Sequence, residues 1–263
     1  MASSAVRLPV LDLLRGIAIL VVFGFHYFGI RNGWDFYRWD GPWRNPYVLG
    51  WDNDWLLYPI TWGWTGVPLF FVLSGFVFGP YLFGRGINLV PYFLRRFFRI
   101  YPLYLVALAA YVGLHISQGK TPEHVVAHVL MLHTFSRDVA FHYNPAFWSL
   151  PAEVEFYLLL PLLSWLVRRI TGFWIAFGLT VGIHFLVTSI ARSQPDSSGW
   201  SVAVFHFPGL LCEFFVGAIG WRIASSSTHQ RWHMLAGAAG LLWVLALAWY
   251  STASASFQQS DSY

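Results

Sequence analysis

The sequence predicts an all-α, polytopic membrane bundle of about seven transmembrane helices in a single domain, N-terminus on the cytoplasmic side. Three observations predict it. The 263 residues are 57% hydrophobic and only 11% charged, with a mean hydropathy of +0.53, a balance foreign to soluble domains. Apolar stretches long enough to cross a bilayer recur along the chain. The short turns between them that would face the cytoplasm carry arginines and no acids, the charge bias that orients such proteins.

Other classes fall away on the same grounds. A net charge of +4 and a pI near 9.3 would suit nucleic acid. No basic cluster alternates with aromatics in a soluble segment, however, so positive inner loops account for the charge. Aromatics at 20% fit extensive interfacial surface. The lone cysteine, Cys212, excludes both an internal disulfide and a cysteine metal site within the chain, so no metal is expected.

The first span, about 9–30, is longer than a signal-peptide core and lacks a cleavage site after it, which marks it as retained. It carries Asp12, Arg15 and His26. Arg15 and His26 are eleven positions apart, within ~20° of each other on a helix and separated by ~16 Å of rise. Ionisable groups inside a span cost several kcal/mol unless paired or hydrated, so the stripe is a functional candidate. Asp12, three residues before Arg15, is expected to balance its charge. Residues 34–55 form a loop rich in Trp, Gly and Pro, expected to anchor at the interface or to stack sugar rings.

The second span, about 58–83, holds Gly66, Pro68 and Gly75, breakers that neighbouring membrane helices tolerate. Arg85, Arg95, Arg96 and Arg99 follow, then a third span at about 100–117. Residues 122–135 are too short and polar to cross and are expected to form a surface or re-entrant helix. Their histidines, His124, His128 and His133, lack an E-x-x-H arrangement and are expected on a solvated face rather than around a metal. Four more spans are expected at about 150–167, 172–191, 201–221 and 234–250. Ser149 and Pro151 suit the start of the fourth, as N-cap and first-turn residue. Glu153 and Glu155 then lie near the positive end of its dipole, about 200° apart. Glu213 in the sixth span could line a pathway or pair with an arginine.

Four stretches carry a resemblance: D-L-L-R-G-I-A-I-L-V-V-F-G-F-H, G-V-P-L-F-F-V-L-S-G-F, R-R-F-F-R-I-Y-P-L-Y and F-W-S-L-P-A-E-V-E-F-Y-L-L-L-P-L-L. In this order over residues 9–163 they resemble the motifs of acyltransferase family 3, multi-span membrane O-acyltransferases. The resemblance implies transfer of an acyl group, acetyl above all, from acyl-CoA to a hydroxyl of a carbohydrate or lipid-linked acceptor. Acyl-CoA would be a co-substrate, with no bound cofactor, and the setting a plasma or inner membrane. It implies a fold of about ten helices, so a chain of about seven is shorter than the family in its C-terminal part.

Carried onto these residues, the resemblance makes His26 the catalytic histidine, acting as general base or as nucleophile. Glu153 takes the family's glutamate position. Glu155 departs from the family's more frequent Gln and carries less weight. Arg15, Arg96 and Arg99 become donor-phosphate candidates, because guanidinium groups offer forked, permanently charged donors; on their own they read equally as lipid anchors. Trp148, Tyr157 and Ser74 are the expected lining of the acceptor pocket. The rival readings are a proton-coupled transporter or flippase, which intramembrane Asp, Arg, His and Glu would also serve, and an inactive family member.

Overall fold

A computed structural model describes residues 9–32, 63–167, 170–193, 201 and 204–226, and every long element among them is helical. Helix α1 is Pro9–Asn32, α2 Gly66–Leu82, α3 Leu89–Ser117, α4 Val125–Val129, α5 Arg137–Ala140, α6 Ser149–Leu166, α7 Ile170–Ser193 and α8 Phe207–Ser226. Single 3-10 turns occur at Gly63–Thr65, His133–Phe135 and Pro145–Trp148. Five of the described helices, α1, α3, α6, α7 and α8, are long and apolar enough to cross a membrane, while α2 is shorter at 17 residues. The expected span at 234–250 and the loop at 34–55 lie outside the described residues.

Helix α2 organises the bundle, packing against α1, α6 and α8. Close approach explains its glycines. A Cβ on Gly66 would collide with Ala18 and Val22 of α1, and one on Gly75 would overlap the Phe214 backbone of α8. Gly217 of α8 answers it, lying against the Val72 carbonyl. Small residues let membrane helices approach closely where lipid supplies no hydrophobic drive for their association. The core is aromatic: Phe156 of α6 stacks on Phe214 at 3.8 Å, and Phe71 and Phe78 of α2 lie 5.0 Å from Phe214 and 5.8 Å from Phe156. By contrast α1 exposes Leu13, Leu20 and Phe23, and α7 exposes Ile175, Leu179 and Leu186. Exposed apolar stripes of this kind are lipid-facing surface in a membrane protein.

Three boundaries differ from the sequence expectation. Helix α2 begins at Gly66, after the 3-10 turn Gly63–Thr65, rather than near 58. Helix α3 begins at Leu89 rather than near 100, so Arg95, Arg96 and Arg99 lie inside it. Hydropathy excluded that stretch because it counts the guanidinium heads and misses the apolar stems that lie along the helix. Helix α8 begins at Phe207 with Pro208 in its first turn, where a missing N–H costs nothing.

The segment 122–135 is also shorter in helix than expected. His124 and Met131 adopt positive φ, 59° and 58°, and bracket the five residues of α4. A left-handed residue ends a right-handed helix. The expected solvated face is corrected at the same place: His128 and His133 are fully buried, their rings parallel within 7° and 4.3 Å apart. The Tyr104 hydroxyl donates to the His128 carbonyl at 2.8 Å, and the Tyr143 hydroxyl to the Glu123 carbonyl at 2.7 Å, closing a compact cap of short turns. Burial holds His133 down at about 4 and also lowers His128 and His142. Imidazole lone pairs lie in the ring plane, so two parallel stacked rings cannot share one metal ion.

Candidate active site

Helices α2, α3 and α6 bring together three of the residues singled out from sequence. The Tyr157 hydroxyl donates to the Glu153 carboxylate one turn earlier on α6. Above that ring lies the Arg96 guanidinium of α3, 5.4 Å from the Tyr157 centroid, 5.0 Å from Phe78 and 5.9 Å from Tyr92. Cations are attracted to aromatic faces, more so where water is scarce. Tyr92 fixes the arrangement by donating its hydroxyl to the Tyr157 carbonyl at 3.0 Å. The Arg96 Nε is buried with no hydrogen-bond partner among the described residues. The result is a guanidinium, a phenol and a carboxylate in series between aromatic walls. Ser74, half-buried, lies one helical turn from Phe78 on α2, so it shares the stripe facing this group.

His26 stands on α1, which also packs against α2. Its Nδ1–H donates to the Val22 carbonyl at 2.9 Å, and its ring meets Phe25 edge-on at 5.5 Å. A carbonyl only accepts, so a neutral ring in this contact keeps its lone pair on Nε2, the form a general base needs. Arg15 bonds to Asp12 at 3.4 Å, consistent with Asp12 as its charge balance. Helix α1 is unbroken from Pro9 to Asn32, so the shared face of Arg15 and His26 stands.

Trp148 and Ser149 lie at the start of α6. Trp148 packs on Phe205 at 5.3 Å. The expected Ser149 cap is corrected: its hydroxyl donates to the Ala146 carbonyl at 3.3 Å. Asn144 caps the preceding turn instead, accepting from the Ala146 N–H at 2.9 Å.

Glu155 was given too little weight by its sequence context. Its Oε1 accepts from Nδ1 of His206 at 2.5 Å and its Oε2 from the Phe207 N–H at 2.8 Å. One carboxylate thus holds a buried histidine and satisfies an orphan donor at the start of α8. The signal in the sequence was a histidine directly before F-P at a span's start, but nothing local links positions 51 residues apart.

A bundle of membrane-length helices that holds charged groups inside aromatic walls defines a polytopic membrane protein with an internal polar site. Its lineage is specific: the chain belongs to acyltransferase family 3, whose family model, described as an acyltransferase domain, matches residues 8–263. It is 28% identical over 239 residues to the acyltransferase MdmB of Streptomyces mycarofaciens, covering 83% of this chain and 58% of that one. It is 31% identical over 164 residues to ORF330 of Acidianus two-tailed virus, provisionally named an acetyltransferase, covering 61% of this chain and 46% of that one. The chain spans about half the length of the curated relatives it matches. No solved structure matches it.

Proposed function

We propose that this chain is a membrane O-acyltransferase that moves an acyl group, acetyl in the first instance, from acyl-CoA to a hydroxyl of a carbohydrate or lipid-linked acceptor. The reading rests on membership of an acyltransferase family, and one structural observation supports these residues: the Arg96–Tyr157–Glu153 series inside the bundle, with α2 packed against both α6 and the helix of His26. In this scheme Arg96 and Arg99, with Arg15, hold the donor's phosphates. Guanidinium groups suit that task through forked donors. Glu153, held by Tyr157, positions the acceptor hydroxyl.

His26 Nε2 takes the proton of that hydroxyl as its oxygen attacks the thioester carbonyl. Collapse of the tetrahedral intermediate breaks the carbon–sulfur bond, and the departing thiolate recovers the proton from the imidazolium. Atoms and charge balance without a further reactant. The basic inner turns set the N-terminus in the cytoplasm, where acyl-CoA is held, and about seven spans in a plasma or inner membrane complete the scheme.

The test uses membranes containing the chain, acetyl-CoA labelled in its acetyl group, and a panel of hydroxyl acceptors. Transfer is expected for the parent and lost in His26→Ala, with Arg96→Ala raising the KM for acetyl-CoA. Unchanged transfer in His26→Ala overturns the mechanism. No transfer from any donor turns the reading toward a transporter or an inactive relative.

A further inference from the structure

Helices α7 and α8 carry a polar group that acyl transfer does not use. His184 of α7 and the consecutive pair Cys212 and Glu213 of α8 each present a ligand-type atom, and these atoms lie within 4.8 Å of one another. Cys212 and Glu213 are 2% and 3% exposed. The Cys212 thiol donates to Glu213 Oε2 at 3.1 Å, and Glu213 belongs to no ion pair among the described residues. Among the described residues no arginine pairs with it. A carboxylate in a membrane-spanning helix is expensive without a compensating charge.

We propose that His184, Cys212 and Glu213 form a binding site for a divalent cation of the zinc class, joining α7 to α8. The donor set of one thiolate sulfur, one imidazole nitrogen and one carboxylate oxygen is zinc chemistry, whereas a softer ion such as copper(I) would favour sulfur throughout. Charge agrees: thiolate and carboxylate together carry two negative charges, so a divalent ion leaves the buried complex neutral. On binding, the thiol proton is released.

The His184 Nδ1–H donates to the Gly209 carbonyl at 2.5 Å, the kind of outer contact that ligating histidines make to a backbone carbonyl, and in that tautomer Nε2 is the nitrogen that would take the ion. Ligand bonds of about 2.0–2.3 Å in a tetrahedron hold ligand atoms roughly 3.3–3.8 Å apart. Closing from the present spacing therefore takes about an ångström of side-chain rotation. Three protein ligands leave the fourth position for water. The lone cysteine that cannot build a thiolate cluster suffices for a mixed site.

The proposal stands apart from the acyl-transfer reading, because none of the three residues takes part in it. Its test uses the full chain in detergent, without a polyhistidine tag, titrated with Co2+ and then challenged with Zn2+. A sulfur-to-cobalt charge-transfer band saturating at one ion per chain is expected, with zinc displacing cobalt. Cys212→Ser should abolish the band, and Glu213→Gln should weaken zinc binding on the order of tenfold or more. Cobalt binding without the band places the metal on histidines elsewhere and overturns the proposal, as does no stoichiometric binding. The parent spectrum needs no variant, so misfolding of a mutant cannot mask the answer.

Discussion

Helices α1 and α6 both carry ionisable groups through apolar sequence, and they satisfy them in opposite ways. On α1, Arg15 bonds to Asp12, His26 to Val22 and Arg31 to Tyr27, each within about one turn of the same helix. On α6 the contacts also reach other helices: Arg96 and Tyr92 of α3 meet Tyr157, and Glu155 holds His206 and the start of α8. Groups served within one helix can change partner without loosening the bundle. Groups shared between helices are part of what holds it together, so substitutions on α6 and at its partners should lower stability more than loss of the Arg15–Asp12 pair on α1 does.

That contrast can be broken at graded points. The largest effect is expected for His206→Ala, which leaves the Glu155 carboxylate facing a vacated, buried position. Losing the partner of a hydrogen bond to a charged group costs up to about 3 kcal/mol, read as a lower Tm in detergent; an unchanged Tm would refute the interhelical role. Next comes acid. His133 is held at about 4 when folded against about 6.5 when unfolded. The unfolded chain therefore binds a proton that the folded chain refuses as pH falls below about 6.5. Stability is full above that value, declines toward pH 4 by on the order of 3 kcal/mol, and is flat below as far as this group is concerned. Thermal melts from pH 7.5 to 4 check it, and His133→Phe should flatten the slope.

A smaller effect is expected for Tyr157→Phe, which removes the hydroxyl that holds Glu153 and keeps the ring beneath Arg96. About 1 kcal/mol of stability should go, with a fall in kcat greater than that loss suggests if Glu153 positions the acceptor. The smallest is expected for Asp12→Asn. Its ion pair with Arg15 is half-exposed, and such i, i+3 pairs contribute about 0.5 kcal/mol or less. A destabilisation as large as that of His206→Ala would erase the distinction between α1 and α6.

The same contrast marks what could be read from the sequence. Local physics was legible: α1 with its Asp12–Arg15 balance, the apolar runs of α6, α7 and α8, and Glu153 near the start of α6. Breakers at Gly66 and Gly75 signalled close helix contact, though not with which partner. What escaped depends on distance along the chain. Arg96 looked like a loop residue because three arginines in five positions suppress hydropathy, while in the fold it is covered by rings from three helices. His128 and His133 looked solvated because no local pattern shows that Tyr104 and Tyr143 close over them. Glu155 looked incidental because its partner lies in another helix.

The crossing of α2 and α8 has a consequence for related sequences. Gly75 and Gly217 face each other's helix backbone with no space for even a methyl group, so neither position can drift alone. In any relative that keeps this packing, a side chain at either site would meet the opposite backbone, and no change at the other glycine could relieve it. Across a divergent set the two glycines should therefore be kept or lost together, as a single character inherited in two places.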